Sequence, residues 1–178
     1  MIFALTGSAQ ARVKKYVLRP RPLTPQIKAI AAKWARFRGL PVEWVLATIL
    51  SESGGDPNAV GDYHVDRRGA SVGLMQVNTV AHKAAMAKAG VTRAMLFQPD
   101  KNIEWGTMIL RDVYTKVSNA LKQRRSSVPI DQLVRLQYTG IPVIKAILEG
   151  RDPRQSDAAA TKKIVAWQRN LAEAQALV

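Results

Sequence analysis

Between Val42 and Ser53, apolar residues recur at Val42, Val45, Leu46, Ile49 and Leu50. That i, i+3, i+4, i+7, i+8 spacing describes an α-helix with one buried face. Glu52 follows Val45 by seven positions and Ile49 by three, so it projects from the same face. Glu43 lies about half a turn round, at roughly 100° per residue, and is expected to face solvent. Gly54-Gly55-Asp56-Pro57 then stops the helix. Burial and the negative end of the helix dipole both disfavour a charge on Glu52. A carboxyl group that keeps its proton can protonate a leaving-group oxygen. Taken alone, the helix favours the plainer reading, a glutamate that snorkels to solvent from a fraying end.

The remaining chain repeats this helical grammar. Thr24-Pro25 supplies an N-cap and a proline at the first helical position. Ile27, Ile30, Ala31 and Trp34 form that helix's apolar stripe, Gly39 suits its C-terminal cap, and Pro41 opens the helix that carries Glu52. The stretch Asn58–Ala70 has no period and reads as a loop. Thr79 is expected to cap an Ala-rich helix ending at Gly90, and Asp100 to begin a longer one with Ile103, Gly106, Leu110, Val113, Val117 and Leu121 on one side. Gly106 on that side predicts close approach of another helix. Pro129 starts a helix through Leu133, Val134 and Gln137, Pro142 a short one ending at Gly150, and Ser156 caps a last one with Ile164, Trp167, Leu171 and Ala174 inward. With no β-hairpin signal and no internal repeat, the expectation is an all-α domain of roughly seven helices over 24–178.

Residues 1–23 read as a separate basic N-terminal arm. Nine Lys or Arg residues precede the first acidic residue, Glu43, and the whole chain carries a net charge of +14. Such a charge favours polyanions. The chain has no Cys and only two His, so neither a disulfide framework nor a Cys- or His-rich metal site is expected, and no cofactor is implied. No apolar run approaches the length of a membrane span, and Ile2–Leu5 does not read as a secretory signal.

Four motifs now bear on Glu52. Glu52-Ser53 is followed by Pro57 and Ala59, then by Gly73-Leu74-Met75-Gln76. Pro99-Asp100-Lys101-Asn102-Ile103-Glu104-Trp105-Gly106 comes next, and Leu136-Gln137-Tyr138-Thr139-Gly140 last. In this order they resemble the lysozyme-like lytic transglycosylases and their relatives, the goose-type lysozymes, over roughly Ile27 to Lys145. The resemblance implies a lysozyme-like helical domain that cleaves the β-1,4 bond between N-acetylmuramic acid and N-acetylglucosamine of peptidoglycan. It implies that Glu52 is the catalytic acid and then the base for attack of the muramic acid C6 hydroxyl on C1, giving a 1,6-anhydro end. It also implies that Ser71, Gly73, Leu74, Met75, Gln76 and Asn78 line or contact the saccharide, and that Tyr138 orients the Glu52 carboxyl.

The departures matter equally. Where the family places a supporting serine nine residues after the glutamate, this chain has Gly61, and where it places an aromatic residue, Gly55. The segment Tyr138-Thr139-Gly140 looks one residue short of the family's A-Y-N-x-G. Support for Glu52 must then come partly from elsewhere. The Gly61–Gly73 loop adds Asp62 and Asp66, and Asp66-Arg67 resembles a stretch of goose-type lysozymes in which aspartates help water attack. An inverting hydrolase of that kind holds its two carboxyls roughly 6.5–9.5 Å apart. Asp66 is therefore a second catalytic candidate. Asn78, where goose-type enzymes have an aspartate, is a poor base and favours transglycosylation.

Two further readings compete with an enzyme. One is a phage structural or binding module of this fold with a weakened site. The other is a nucleic-acid-binding protein driven by the basic arm, for which no recognised motif is present. The arm suits anionic envelope polymers or phage virion proteins better than nucleic acid. Action on the bacterial wall, in the periplasm, together with the absence of an evident signal, suggests delivery by a phage particle or at host lysis. Detection in purified particles would support the virion version.

Overall fold

The computed structural model describes residues 22–61, 70–124, 128–155 and 158–178. The arm (save Pro22 and Leu23), Asp62, Asp66 and the Ser156 cap lie outside the described residues. Seven α-helices are present among those described, so the all-α expectation holds: α1 (Pro25–Arg38), α2 (Val42–Ser53), α3 (Lys83–Lys88), α4 (Pro99–Arg124), α5 (Ile130–Tyr138), α6 (Val143–Leu148) and α7 (Ala158–Gln175). The helices are joined by a small antiparallel sheet that was not expected, of three two-residue strands, β1 (Val60–Gly61), β2 (Ser71–Val72) and β3 (Val77–Asn78), in the order β1-β2-β3. Strands of two residues are too short to show an alternating pattern, which is why no period announced them.

Local chemistry sets the helix ends. Thr24 Oγ1 accepts from the Ile27 N–H at 3.2 Å, and Gly39 ends α1 in the left-handed region at φ 62°. Thr79 does not start a helix. Its N–H and its hydroxyl both donate to the Ala70 carbonyl, at 2.7 and 2.9 Å, closing the sheet, and α3 begins only after His82. Tied to Ala70 by both groups, Thr79 stays with the sheet instead of entering a helix.

The 26-residue α4 is the axis of the molecule, packing against α1, α5 and α6. At 1.5 Å per residue it is about 39 Å long. Helix α2 is sandwiched between α1 and α7, and its most extensive packing is against α7. Ala47, Ile49 and Leu46 on α2 are buried with Leu133 and Leu136 of α5 and Trp167 of α7 in the main core. A second cluster, with Val72, Val77, Leu96 and Trp105, lies under the sheet. Leu23, the last residue of the expected arm, is buried in the main core.

Gly106 corrects one expectation. What approaches it is not a helix but the Met75 side chain: a Cβ at Gly106 would lie 2.4 Å from Met75 Sδ and 2.6 Å from its Cβ. The motif glycine on α4 thus makes room for Met75 and seats the turn that joins β2 to β3 against α4.

Candidate active site

Glu52 occupies the last turn of α2, and the turn that follows it is built with care. Ser53 is buried, its hydroxyl donating to the Ile49 carbonyl at 3.1 Å and accepting from the Gly55 N–H at 3.2 Å. Gly54 and Gly55 both take positive φ, 62° and 85°. An aromatic residue at position 55 would have to enter the left-handed region, so the departure at Gly55 follows from this tight exit. Chain leaving α2 this way runs into β1.

Antiparallel pairing of Ser71 with Asn78, and of Val72 with Val77, sorts the sheet's side chains. With a period of two, the valines enter the lower cluster while Ser71 and Asn78 face a cleft of about 550 Å³. Glu52, Gln76, Tyr138, Arg135 and His82 share its lining. The structure therefore brings Glu52, Ser71, Gln76, Asn78 and Tyr138 together around one cleft.

Gly73, Leu74 and Met75 are fully buried and do not line the cleft, contrary to the expectation of saccharide contact. Gly73 sits at φ 76°, and a Cβ there would lie 2.1 Å from the Asn102 amide nitrogen. Its glycine is required by packing against α4, not by approach of glycan. Asn102, itself buried, binds the segment from below. Its Oδ1 accepts from the Met75 N–H at 2.8 Å, and its Nδ2 donates to the Val72 and Leu96 carbonyls at 2.9 and 2.7 Å.

Gln76 is the one non-glycine residue with positive φ, at 48°, among the described residues. A conformation of that kind costs of order 1–3 kcal/mol and persists only when its surroundings hold it. Here Nε2 donates to the Ala59 carbonyl at 3.1 Å and to the Gly73 carbonyl at 3.0 Å. A Cβ at Gly61 would come within 2.3 Å of Gln76 Oε1. The space that a serine at position 61 would need is thus taken by the Gln76 amide.

What supports Glu52 instead is Arg135 of α5. Its Nη1 donates to Glu52 Oε1, the two side chains being 9% and 18% exposed. The guanidinium lies over the Trp167 ring, 5.8 Å from the centroid, and Trp167 Nε1 donates to Asp131 at 3.1 Å. Arg135 is held from below by an aromatic face, which fixes where its charge points.

Tyr138 does not orient Glu52 by a hydrogen bond. Its hydroxyl donates to the Met75 carbonyl at 2.9 Å, fastening α5 to the Gly73–Gln76 segment. Burial, reinforced by the Glu52 charge and opposed by Arg135, pushes the phenol well above its usual range. A raised folded value means that this group's stability is complete below the unfolded value, about 10, and is lost as pH rises beyond it. Tyr138→Phe should lower Tm at neutral pH by several degrees, since it strands the Met75 carbonyl at about 1–3 kcal/mol. The gap to wild type should narrow above about pH 10, a trend that thermal melts across pH will check.

His82, half-buried at the cleft rim, is held below its usual value mainly by burial, with the Asp112 charge opposing. Among the described residues, Glu52 is the only carboxylate in the cleft lining, and no group of three or more His, Asp or Glu side chains is placed to hold a metal. Asp66 lies outside the described residues. Neither Arg135 nor His82 stands out in the sequence motifs. Arg135 had a usable signal, because it precedes Tyr138 by three positions and so shares its helix face.

A family model described as the transglycosylase SLT domain matches residues 29–129. That span holds α2, the sheet, Asn102 and Gly106, and ends before α5, which contributes Arg135 and Tyr138. No relative among curated proteins matches the chain.

Proposed function

Because the chain belongs to the transglycosylase SLT domain family, whose members carry out lytic-transglycosylase-type cleavage of peptidoglycan, we propose that Glu52 is its catalytic acid and base. The observation that carries this reading is the position of Glu52: a carboxyl at a helix end, in the wall of a cleft, in contact with a guanidinium. The bond cleaved is the β-1,4 link between N-acetylmuramic acid and N-acetylglucosamine.

In the first step the Glu52 carboxyl gives its proton to the glycosidic oxygen. The C1–O bond breaks, and the electron pair leaves with the N-acetylglucosamine hydroxyl. An oxocarbenium-like muramic residue and a Glu52 carboxylate remain. In the second step that carboxylate takes the proton of the muramic C6 hydroxyl as O6 bonds to C1. The 1,6-anhydro ring closes, Glu52 regains its proton, and no water is consumed. Arg135 is placed to meet the carboxylate that exists between the two steps. Gln76, Asn78 and Ser71 offer amides and a hydroxyl along the cleft for saccharide polar groups, with His82 at the rim.

Hydrolysis by a water that Asp66 activates is the competing outcome. Transglycosylation is favoured by Asn78, a neutral cleft side chain and a poor base where goose-type lysozymes carry an aspartate. Digestion of purified peptidoglycan followed by mass spectrometry of the fragments should give anhydro-muramic ends. Asp66→Asn should leave the rate within about threefold of wild type, because a base for water is not used. Reducing muramic ends, or an Asp66→Asn loss of a hundredfold, would establish hydrolysis instead.

A further inference from the structure

A second cavity, of about 690 Å³, opens between the C-terminal end of α2 and the exposed face of α7. Lys162, Lys163, Ala166, Arg169, Asn170 and Glu173 fall at helical spacing along that face and line it. Three of these are cations and one is an anion. Arg135 adds a fourth positive group at the cavity's inner end, where it already contacts Glu52. Among the described residues, Lys162, Lys163, Arg169 and Glu173 form no ion pair, and three cations against one anion leave the α7 face of the cavity net positive.

The cavity is continuous with the cleft, since Ser51, Arg135 and Lys163 line both. The Asn170 amide donates to Ser51 Oγ at 2.8 Å and holds α7 against α2 at this junction. All of the α7 residues lie beyond the stretch matched by the family model.

We propose that this basic cavity is the subsite for the acidic stem peptide borne by the muramic residue that is being cleaved. The inference rests on the functional reading above, which puts that residue beside Glu52. The peptide leaves the sugar through its lactyl ether and carries free carboxylates. An extended chain covers about 3.3–3.6 Å per residue, so a tetrapeptide reaches roughly 13–14 Å from the sugar. From a sugar beside Glu52, the wall shared at Arg135 and Lys163 leads into the cavity, where the unpaired Lys162 and Arg169 attract the carboxylates. The subsite would make the protein prefer peptide-bearing strands to bare glycan.

Two measurements test it on the full chain. The first titrates the free stem tetrapeptide, and a fully amidated analogue, into wild type and a Lys162→Gln/Arg169→Gln double variant, read by calorimetry or NMR. Both residues are exposed on α7, so circular dichroism should confirm an unchanged fold. The peptide should bind wild type, bind the double variant about tenfold more weakly, and lose affinity on amidation. The second compares cleavage of intact strands with strands stripped of peptide by an amidase. Wild type should favour intact strands, and the double variant should lose that preference.

Equal binding by the double variant or by the amidated analogue would overturn the subsite, as would displacement of the peptide by inorganic phosphate at equal concentration. Cleavage without peptide binding or preference would overturn the subsite and leave the proposed activity standing. Peptide binding with no cleavage of either strand would do the reverse.

Discussion

Glu52→Gln should reduce release of fragments from purified peptidoglycan by at least about a thousandfold, because the amide can neither give the proton in the first step nor take it in the second. The substitution is nearly isosteric, and its amide oxygen can still accept from Arg135 Nη1, which stays stacked over Trp167. Tm should therefore shift by only a few degrees, as thermal melts will report. Glu52→Ala removes the acceptor as well and leaves Arg135 buried without it, so a larger loss of stability accompanies the same loss of activity. Folded Glu52→Gln protein that still cleaves within tenfold of wild type would remove Glu52 from the mechanism.

Asn102→Leu should produce the largest loss of stability of any single change near the site. One amide serves three backbone groups, the Met75 N–H and the Val72 and Leu96 carbonyls, and all of them lose their partner when leucine replaces it. Each stranded group costs about 1–3 kcal/mol, so the sum is roughly 3–9 kcal/mol, a large share of the 5–15 kcal/mol that holds a typical domain together. At about 2–4 °C per kcal/mol for a chain of this size, Tm should fall by roughly 6 °C or more. Activity at lower temperature should fall too, because Gln76 and the carbonyl that Tyr138 binds belong to the segment released. Denaturant midpoints of the folded variant will measure this. A shift under about 1 kcal/mol would mean that water or a rearranged segment replaces the amide.

These two residues show how differently parts of the site could be read before the structure. Glu52 betrayed itself by lying on an apolar stripe, and the motifs that follow it gave that placement a purpose. Asn102 was part of a recognised motif, yet its work as a clamp on three backbone groups has no trace in periodicity. Met75 and Gly73 belonged to the expected saccharide wall. Their burial follows from α4, where Gly106 and Asn102 draw the segment inward so that only Gln76 of that run reaches the cleft. The sheet escaped notice because its strands are too short to alternate.

The departures at Gly55 and Gly61 also changed meaning. From sequence they suggested a weakened site. In the structure Gly55 permits a left-handed exit from α2, and Gly61 leaves space for the Gln76 amide. Both are consistent with a site assembled differently.

By itself the sequence determined the helices, most of their ends and the family, and it singled out the residue we propose as the acid, since each depends on spacing or on chemistry within a few turns. Only the tertiary structure decided what Glu52 touches. Arg135 stands 83 positions away, and no local period relates two residues that meet because α2 and α5 converge on one core. The basic cavity beside them has the same origin, because it exists only where α7 packs along α2 and sets its unpaired lysines and arginine next to the cleft.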